Sequence, residues 1–249
     1  MRPVRSPCVA GAVLMASVLA GACATVGETS PRDPFEDFNR ESFAFNGFMD
    51  RTVVAPLANL YTFVVPRGGR RGVANFFANL GNPGVILNDF LQGKFEQGLE
   101  DTGRFIFNST LGLGGVIDIA GPLGLPSHEE DFGQTLAVWG VNSGPYLEVP
   151  LFGPYTLRGA TDLPIGAATN PFFYLEDPPL LPTLFLGVLD ERAGLSQAIR
   201  TRDEALDPYV FQREAFIQHR VHLIHDGQSP AAELDDLDAL DPLSEESSD

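Results

Sequence analysis

The 249-residue sequence predicts a mainly α-helical fold built from short amphipathic helices. Apolar residues recur at helical spacing in several stretches, whereas the alternation typical of strands is weak. Glycine, with 26 copies, and proline, with 20, are frequent enough to keep the helices short. Phenylalanine has 19 copies against one tryptophan, so the chain has a large apolar area to cover.

Three stretches have the apolar spacing of an amphipathic helix. The first covers residues 35–48, and its apolar positions are Phe35, Phe38, Phe45 and Phe48. The second covers residues 95–106. The third and most regular covers residues 206–224, with Pro208 in its first turn, where proline is favoured.

The segments between these stretches are less regular. Gly68-Gly69 predicts a chain break, and residues 75–80 predict a short helical turn that ends at Gly81-Asn82-Pro83. Residues 146–149 carry a weak strand signal. Residues 172–189 are apolar and nearly uncharged, but their prolines argue against a straight helix across a bilayer.

Residues 1–22 predict a secretory signal peptide. Arg2 and Arg5 precede an apolar run over residues 9–22, which is shorter than the ~20 residues of a membrane-spanning helix. The sequence is consistent with two alternative cleavage products. Cleavage after Ala22 releases a soluble periplasmic protein, whereas a lipobox leaves an acylated Cys23 at the new N-terminus.

Cysteine use favours the acylated product. Because Cys8 is removed with the signal peptide, Cys23 is the only cysteine left in the mature chain. Acylation explains a single cysteine at the cleavage point. The residue after it is Ala24 and not aspartate, so we expect the outer membrane, with release into the periplasm as the alternative.

The mature chain divides into three parts. Residues 23–34 predict a lipidated tether, residues 35–225 the helical domain, and residues 226–249 an acidic tail. The tail holds nine acidic residues and no basic one, a composition typical of disorder. The net charge of −17 argues against a nucleic-acid partner, because nucleic-acid affinity depends on basic side chains that neutralise phosphates.

The sequence lacks a recognisable catalytic set, so we expect no enzyme activity, no cofactor and no metal. The run 112–115 is glycine-rich but lacks the Lys-Ser/Thr pair of a phosphate loop. His219, His222 and His225 are spaced so that the outer two face different ways on a helix. The acidic cluster 128–131 reads as a solvated turn, with acid–base work as the alternative.

Residues 111–121 (LGLGGVIDIAG) are the candidate lipid passage. If amphipathic helices close a ring in a membrane, their polar faces can line a passage for head groups. Glycine permits close backbone approach, and the aliphatic residues of the segment suit acyl chains. The candidate site residues are Gly112, Gly114, Gly115, Asp118 and Gly121. Asp118, with nearby Asn108, is expected either to contact head groups or to cap a helix, and a tight packing turn is the alternative for the glycines.

One further basic cluster, Arg67, Arg70 and Arg71, has two open interpretations. It suits phosphate head groups at a membrane interface. It is equally typical of ordinary charge at a helix end.

Many motifs occur in an order that resembles one family. The opening run is DPFEDFNR at residues 33–40, followed by FAFN at residues 43–46. Further motifs are NDFLQG at 88–93, NSTLGLGG at 108–115, DFGQTL at 131–136, PLFGP at 150–154 and DPY at 207–209. Together they resemble the MlaA (VacJ) lipoproteins over about residues 33–224.

This resemblance implies a ring of helices lying in the outer membrane and facing the periplasm. It implies an amphipathic channel that removes mislocalised phospholipid from the outer leaflet. Implied partners are phospholipid, a trimeric porin and a periplasmic lipid shuttle that passes the lipid toward the inner membrane. The alternative function is that of a lipid-anchored structural or surface-associated virulence protein.

Overall fold

The computed structural model describes residues 33–174 and 180–227. Most of the described residues form α-helices, which we number α1 to α9 in chain order. Their bounds are α1 Glu36–Met49, α2 Ala55–Val64, α3 Arg67–Gln92, α4 Phe95–Thr110, α5 Phe132–Val138, α6 Asp162–Thr169, α7 Leu180–Gly194, α8 Ser196–Asp203 and α9 Pro208–Ile224. The prediction of a mainly helical single domain is confirmed.

The remaining regular structure is short. A π-helical turn over Asp50–Val54 joins α1 to α2. Strands β1 (Tyr146–Val149) and β2 (Gly153–Thr156) form an antiparallel hairpin in which Tyr146 faces Thr156. The weak strand signal at residues 146–149 is thus confirmed, whereas β2 was missed because its Gly-Pro start resembles a turn.

The predicted break at Gly68-Gly69 and the predicted stop at Gly81-Asn82-Pro83 are wrong. Helix α3 runs through both and is 26 residues long. An interior proline costs roughly 3 kcal/mol because it removes one helical hydrogen bond. The helix persists because it packs against α4, α5, α6 and α7 along its length. Tertiary contacts therefore outweigh the local helix-breaking residues.

The helix contacts run in a closed circuit. Helix α1 continues through the π-turn into α2, which packs on α7, and α7 packs on α3. Helix α3 packs on α5, which contacts α9, and α9 contacts strand β2. Strand β1 packs on α1 and completes the circuit. In the described ranges, no helix combines the length and apolarity needed to cross a bilayer.

Burial is inverted relative to a water-soluble protein. Apart from Tyr146, the largest fully buried side chains are all polar or charged: Gln134, Glu148, Asn39, Asn88, Thr135, Asp33, Asp89 and Asp101. Large apolar side chains lie on the surface of α1, α2, α4 and the loop after α4, and Phe63 is 88% exposed. The amphipathic helices are confirmed, but in α1 the polar residues Asn39 and Ser42 are buried, whereas Phe38, Phe45 and Phe48 point outward.

A buried polar cluster joins α1 to α9. Asp33 Oδ1 accepts a hydrogen bond from Asn39 Nδ2 at 2.7 Å, and Asp33 Oδ2 accepts one from the Tyr209 hydroxyl. Arg213 Nη1 lies 3.3 Å from the same Oδ2. We call these four residues, Asp33, Asn39, Tyr209 and Arg213, the clasp. It ties the start of the described chain to its last helix.

The clasp also holds the hairpin. Asn39 Nδ2 donates to the carbonyl of Tyr146 at 3.1 Å, and Asn39 Oδ1 accepts from the backbone N–H of Glu148 at 2.9 Å. One turn before the end of α1, Asn46 Oδ1 accepts from the backbone N–H of Leu151 at 2.7 Å. The polar face of α1 is therefore the docking surface for the hairpin.

Candidate lipid-handling site

The predicted passage segment, residues 111–121, is a compact loop after α4. Its backbone folds back on the helix end: Gly115 N–H donates to the Asn108 carbonyl at 2.8 Å, and Ile117 N–H donates to the Gly112 carbonyl at 2.9 Å. A Cβ on Gly112 would lie 2.2 Å from the Ile117 carbonyl oxygen. The close approach at Gly112 therefore needs glycine.

Asn108 and Asp118 organise the rest of the loop. Asn108 Oδ1 accepts from the backbone N–H groups of Ile119 and Ala120 at 2.8 and 3.0 Å. Asp118 Oδ1 accepts from Asn108 Nδ2 at 3.1 Å and from the backbone N–H of Gly121 at 3.1 Å. Both side chains thus satisfy loop backbone groups.

The Asp118 carboxylate also faces Arg104, whose Nη2 lies 3.3 Å away. Burial acts to raise the pKa of Asp118. The Gly121 N–H, the Asn108 amide and the Arg104 guanidinium together outweigh it and lower this pKa below its usual value. Asp118 is therefore an anion at neutral pH, and the charges of Asp118 and Arg104 balance each other.

Beside this ion pair lies a polar cleft of about 40 Å³. Its lining residues come from α3, α4 and the two loops that follow α4: Asn75, Ala78, Asn79, Asn82, Arg104, Asn108, Asp118 and Ser127. The cleft presents amide, guanidinium, carboxylate and hydroxyl groups. The amide, guanidinium and hydroxyl groups can donate hydrogen bonds to phosphate and glycerol oxygens of lipid head groups, whereas the carboxylate can only accept them.

The outer side of the same loop is apolar. Leu113 is 71% exposed, and Leu111, Val116 and Ile117 are exposed as well. Leu113 adopts a φ of 55°, which is uncommon for a residue other than glycine. The loop therefore places an apolar surface within a few residues of a polar cleft.

The structure separates the predicted site residues by role. Asp118 lines the cleft. Gly121 packs against the Asp118 carboxylate, since a Cβ at Gly121 would lie 2.5 Å from Asp118 Oδ2. Gly112 and Gly115 are packing positions. Gly114 has open space around it. Cys23 lies outside the described residues, as do the signal peptide, the tether up to residue 32 and the tail from residue 228.

Sequence reasoning missed most of the cleft. Asn75, Asn79 and Asn82 recur at i, i+4 and i+7, so they share one face of α3. This spacing was the available signal. A polar helix face usually points to solvent, so the spacing alone does not predict a cleft.

We expect Gly115→Ala to destabilise the protein by about 2–4 kcal/mol, whereas Gly114→Ala should cost about 1 kcal/mol. Both positions have positive φ, 95° and 72° respectively. A Cβ at Gly115 would additionally lie 2.3 Å from the Asn79 Cβ, whereas one at Gly114 meets no atom within 4 Å. Thermal unfolding in detergent checks this order, and equal losses would contradict the packing role of Gly115.

The interpretation of residues 128–131 as a solvated turn is wrong. His128 Nδ1 lies 2.7 Å from Asp101 Oδ2, and Glu130 is buried against Lys94 Nζ at 2.7 Å. Asp131 caps α5 by accepting from the backbone N–H of Gln134 at 2.9 Å, and it pairs with Arg220. Through these contacts, and through a hydrogen bond from Gln92 of α3 to Glu130, the cluster holds α3, α4, α5 and α9 together.

Of the three histidines, His219 and His222 lie in α9, and His225 follows directly after its last residue. Across the described ranges, no group of three or more His, Cys, Asp or Glu side chains is placed to hold a metal ion.

A larger cavity of about 650 Å³ lies elsewhere, between α9, the end of α5 and the loop before β1. Ile217, Val221 and Ile224 supply apolar lining, and Arg158 and Arg220 supply positive charge. None of the predicted passage residues reaches it. Its volume is in the range of pockets that hold small ligands.

Comparison with known proteins identifies the family. The sequence model of the MlaA lipoprotein family matches residues 31–223. The chain belongs to the MlaA lipoprotein family. It is 33% identical, over 92% of its length and 94% of the relative, to the intermembrane phospholipid transport system lipoprotein MlaA of Escherichia coli (strain K12). It is 32% identical to the protein of the same name from Haemophilus influenzae, over 87% of this chain and 90% of that one.

A solved structure extends the likeness to three dimensions. The chain matches it with a TM-score of 0.69 and 33% identity, covering 77% of this chain and 98% of the other. That structure concerns the structural basis for maintenance of bacterial outer membrane lipid asymmetry. The resemblance to MlaA lipoproteins is therefore confirmed.

The fold explains why two distant MlaA motifs occur together. The opening run at residues 33–40 supplies Asp33, Asn39 and Arg40, and the later DPY run supplies Asp207 and Tyr209. Arg40 Nη2 lies 2.9 Å from Asp207 Oδ2, and its guanidinium stacks 4.5 Å from the Tyr209 ring centroid. These motif residues meet at and beside the clasp, so they have a structural role in this MlaA lipoprotein.

Proposed function

We propose that this MlaA lipoprotein acts at the outer membrane in intermembrane phospholipid transport. In this proposal it removes mislocalised phospholipid from the outer leaflet and hands it to a periplasmic carrier, which maintains lipid asymmetry. The inverted burial is the observation that carries the proposal. A surface rich in exposed phenylalanine and leucine is unfavourable in water but favourable against acyl chains.

The polar interior suits the other half of a phospholipid. Asn88, Asp89 and Asp101 are fully buried, and the cleft beside Asp118 opens between polar side chains. A phospholipid that leaves a leaflet must keep its head group hydrated or hydrogen-bonded, because burying an unpaired charge is costly. Polar groups inside and apolar groups outside provide such a route without any chemical step.

In the proposed path, the head group enters beside Arg104 and Asp118 while the acyl chains remain against the apolar side of the loop at Leu113. The Arg104 guanidinium exchanges its carboxylate partner for the lipid phosphate, since both are anions whose oxygens accept charge-assisted hydrogen bonds from arginine. Gly112, Gly115 and Gly121 allow the loop to pack closely beside the cleft, and Gly114 supplies a positive φ in its turn.

The proposed assembly follows the family. An acylated Cys23 anchors the chain, a trimeric porin holds the ring in the membrane, and a soluble periplasmic shuttle receives the lipid. Of the acidic tail, residues 226–249, Asp226 pairs with Lys94, and the part from residue 228 lies outside the described residues, so its disorder stays a prediction.

The test is phospholipid retained by the protein after gentle purification, identified by mass spectrometry. Ala78→Leu places a larger apolar side chain in the wall of the cleft, where it obstructs the contact between the head group and Arg104. We expect roughly tenfold less bound phospholipid per protein, the size of one lost charge-assisted contact. Arg104→Gln should act in the same direction.

Ala74→Leu is the matched control, because Ala74 is exposed one turn earlier on α3 and does not line the cleft. It should retain phospholipid at the level of the unaltered protein. No phospholipid on the unaltered protein, or equal retention by all three variants, would argue against a lipid path through this cleft.

A further inference from the structure

The arginine cluster at the start of α3 has no role in the proposed path. Arg67 and Arg71 are exposed, and Arg70 is half-buried near Tyr61. They follow directly on the most apolar surface of α2, where Phe63 is 88% exposed and Leu60 and Val64 are also exposed. We call Leu60, Phe63, Val64 and the three arginines the α2–α3 patch.

The inner side of α2 fixes the orientation of this patch. Ala58 and Tyr61 are buried, and the Tyr61 hydroxyl donates to Asp190 Oδ1 of α7 at 2.7 Å. The helix is therefore held to α7 by one face, and the apolar residues of the patch lie on the other.

The arginines of the patch lack acidic partners within the described residues. Six other arginines there form ion pairs, namely Arg40, Arg104, Arg192, Arg202, Arg213 and Arg220. In a chain with a net charge of −17, three neighbouring arginines with no carboxylate of residues 33–174 or 180–227 within 4 Å leave a local positive surface on the described part of the protein.

We propose that the α2–α3 patch binds the surface of a bilayer that carries anionic phospholipid. Leu60, Phe63 and Val64 enter the acyl region, and Arg67 and Arg71 hydrogen-bond lipid phosphates at the level of the head groups. Long arginine side chains reach the interface while their stems stay against apolar surface. This proposal rests on the proposed function at the membrane and adds a defined contact that sets how deep α2 sits.

The test uses the full mature chain in bilayer nanodiscs of phosphatidylglycerol and phosphatidylcholine in equal parts. Phe63→Trp places a fluorescent reporter in the patch, and the protein without this change provides the signal of Trp139 for subtraction. Brominated acyl chains are placed on one lipid at a time. We expect strong quenching that is greater with brominated phosphatidylglycerol.

Arg71→Glu in this background should lower the preference for phosphatidylglycerol by roughly 10- to 30-fold. The substitution changes the local charge by two, and each basic charge near an anionic surface strengthens binding by roughly fivefold. Arg200→Glu is the matched control, since Arg200 is exposed on α8 and makes the same charge change. It should lower the preference less than threefold.

Three outcomes would overturn the proposal. Absence of quenching by either lipid would place Phe63 outside the bilayer. Equal quenching by both lipids, or equal effects of Arg71→Glu and Arg200→Glu, would remove the anionic contact. Loss of the preference on adding inorganic phosphate at constant ionic strength would assign the arginines to free phosphate. Since none of these outcomes involves the cleft, lipid retention by the Ala78→Leu variant judges the proposed function separately.

Discussion

Asn39→Leu is expected to destabilise the protein by about 3–5 kcal/mol, the largest loss expected from a single substitution at the clasp. Asn39 is fully buried, and its amide holds the Asp33 carboxylate, the Tyr146 carbonyl and the Glu148 N–H. Leucine leaves all three without this partner. A buried carboxylate and two buried backbone groups that lose hydrogen bonds each carry a desolvation cost.

The expected readout is a lower midpoint of thermal unfolding in detergent, together with loss of protein from the membrane fraction of cells. Glu41→Leu is the matched control, because Glu41 is exposed on the same helix. It should change the midpoint little. Comparable losses in both variants would show that the polar face of α1 does not carry the contact between the two ends of the domain.

Asp89→Asn is expected to stabilise the protein above neutral pH. Asp89 is fully buried, and neither carboxylate oxygen has a hydrogen-bond partner within the described residues. Burial, followed by the charges of Asp101 and Glu130, raises the pKa of Asp89 to about 7, although His128 and Lys94 act in the opposite direction. The unfolded chain therefore ionises at lower pH than the folded one.

The sign follows from this difference. Below about pH 3 both states are almost fully protonated and Asp89 has no effect on stability. As the pH rises from about 4 to about 7, the unfolded state releases its proton first, so stability falls. Above about pH 7 the cost is complete and reaches about 4 kcal/mol.

Asparagine removes this charge and keeps the size of the side chain. We expect the Asp89→Asn midpoint of thermal unfolding at pH 8 to rise by roughly 10 °C, and the fall between pH 5 and 8 to flatten. Asp37→Asn removes an exposed carboxylate of α1 and should leave the pH profile unchanged. A lower midpoint for Asp89→Asn at pH 8 would mean that the ionised carboxylate is stabilised in the fold.

The sequence predicted helix positions better than it predicted which faces are buried. The phenylalanine spacing of residues 35–48 gives the same period whether the apolar side meets a protein core or a lipid. Only the assembled fold shows that Phe38 and Phe45 point outward while Asn39 is buried. Periodicity locates an amphipathic helix but carries no information about the solvent on its apolar side.

Local rules failed where distant contacts decide the structure. Gly81 and Pro83 break helices in isolation, yet α3 continues because α4 and α7 pack beside it. The clasp brings together residues that are more than 100 positions apart in the sequence. The cleft brings together residues that are up to about 50 positions apart. Asp118 and the glycines of the loop could be predicted from the local sequence. The side of the cleft formed by Asn75, Asn79 and Arg104 could not, because it exists only once α3 packs on α4.

The most direct test of the account is the amount of phospholipid in the outer leaflet of cells that lack the gene for this protein. Plasmids would restore the unaltered protein, Ala78→Leu or Ala74→Leu at equal membrane levels. We predict that the deletion raises outer-leaflet phospholipid, that the unaltered protein and Ala74→Leu restore the low level, and that Ala78→Leu does not. Outer-leaflet phospholipid that is unchanged by the deletion would contradict a role in lipid removal.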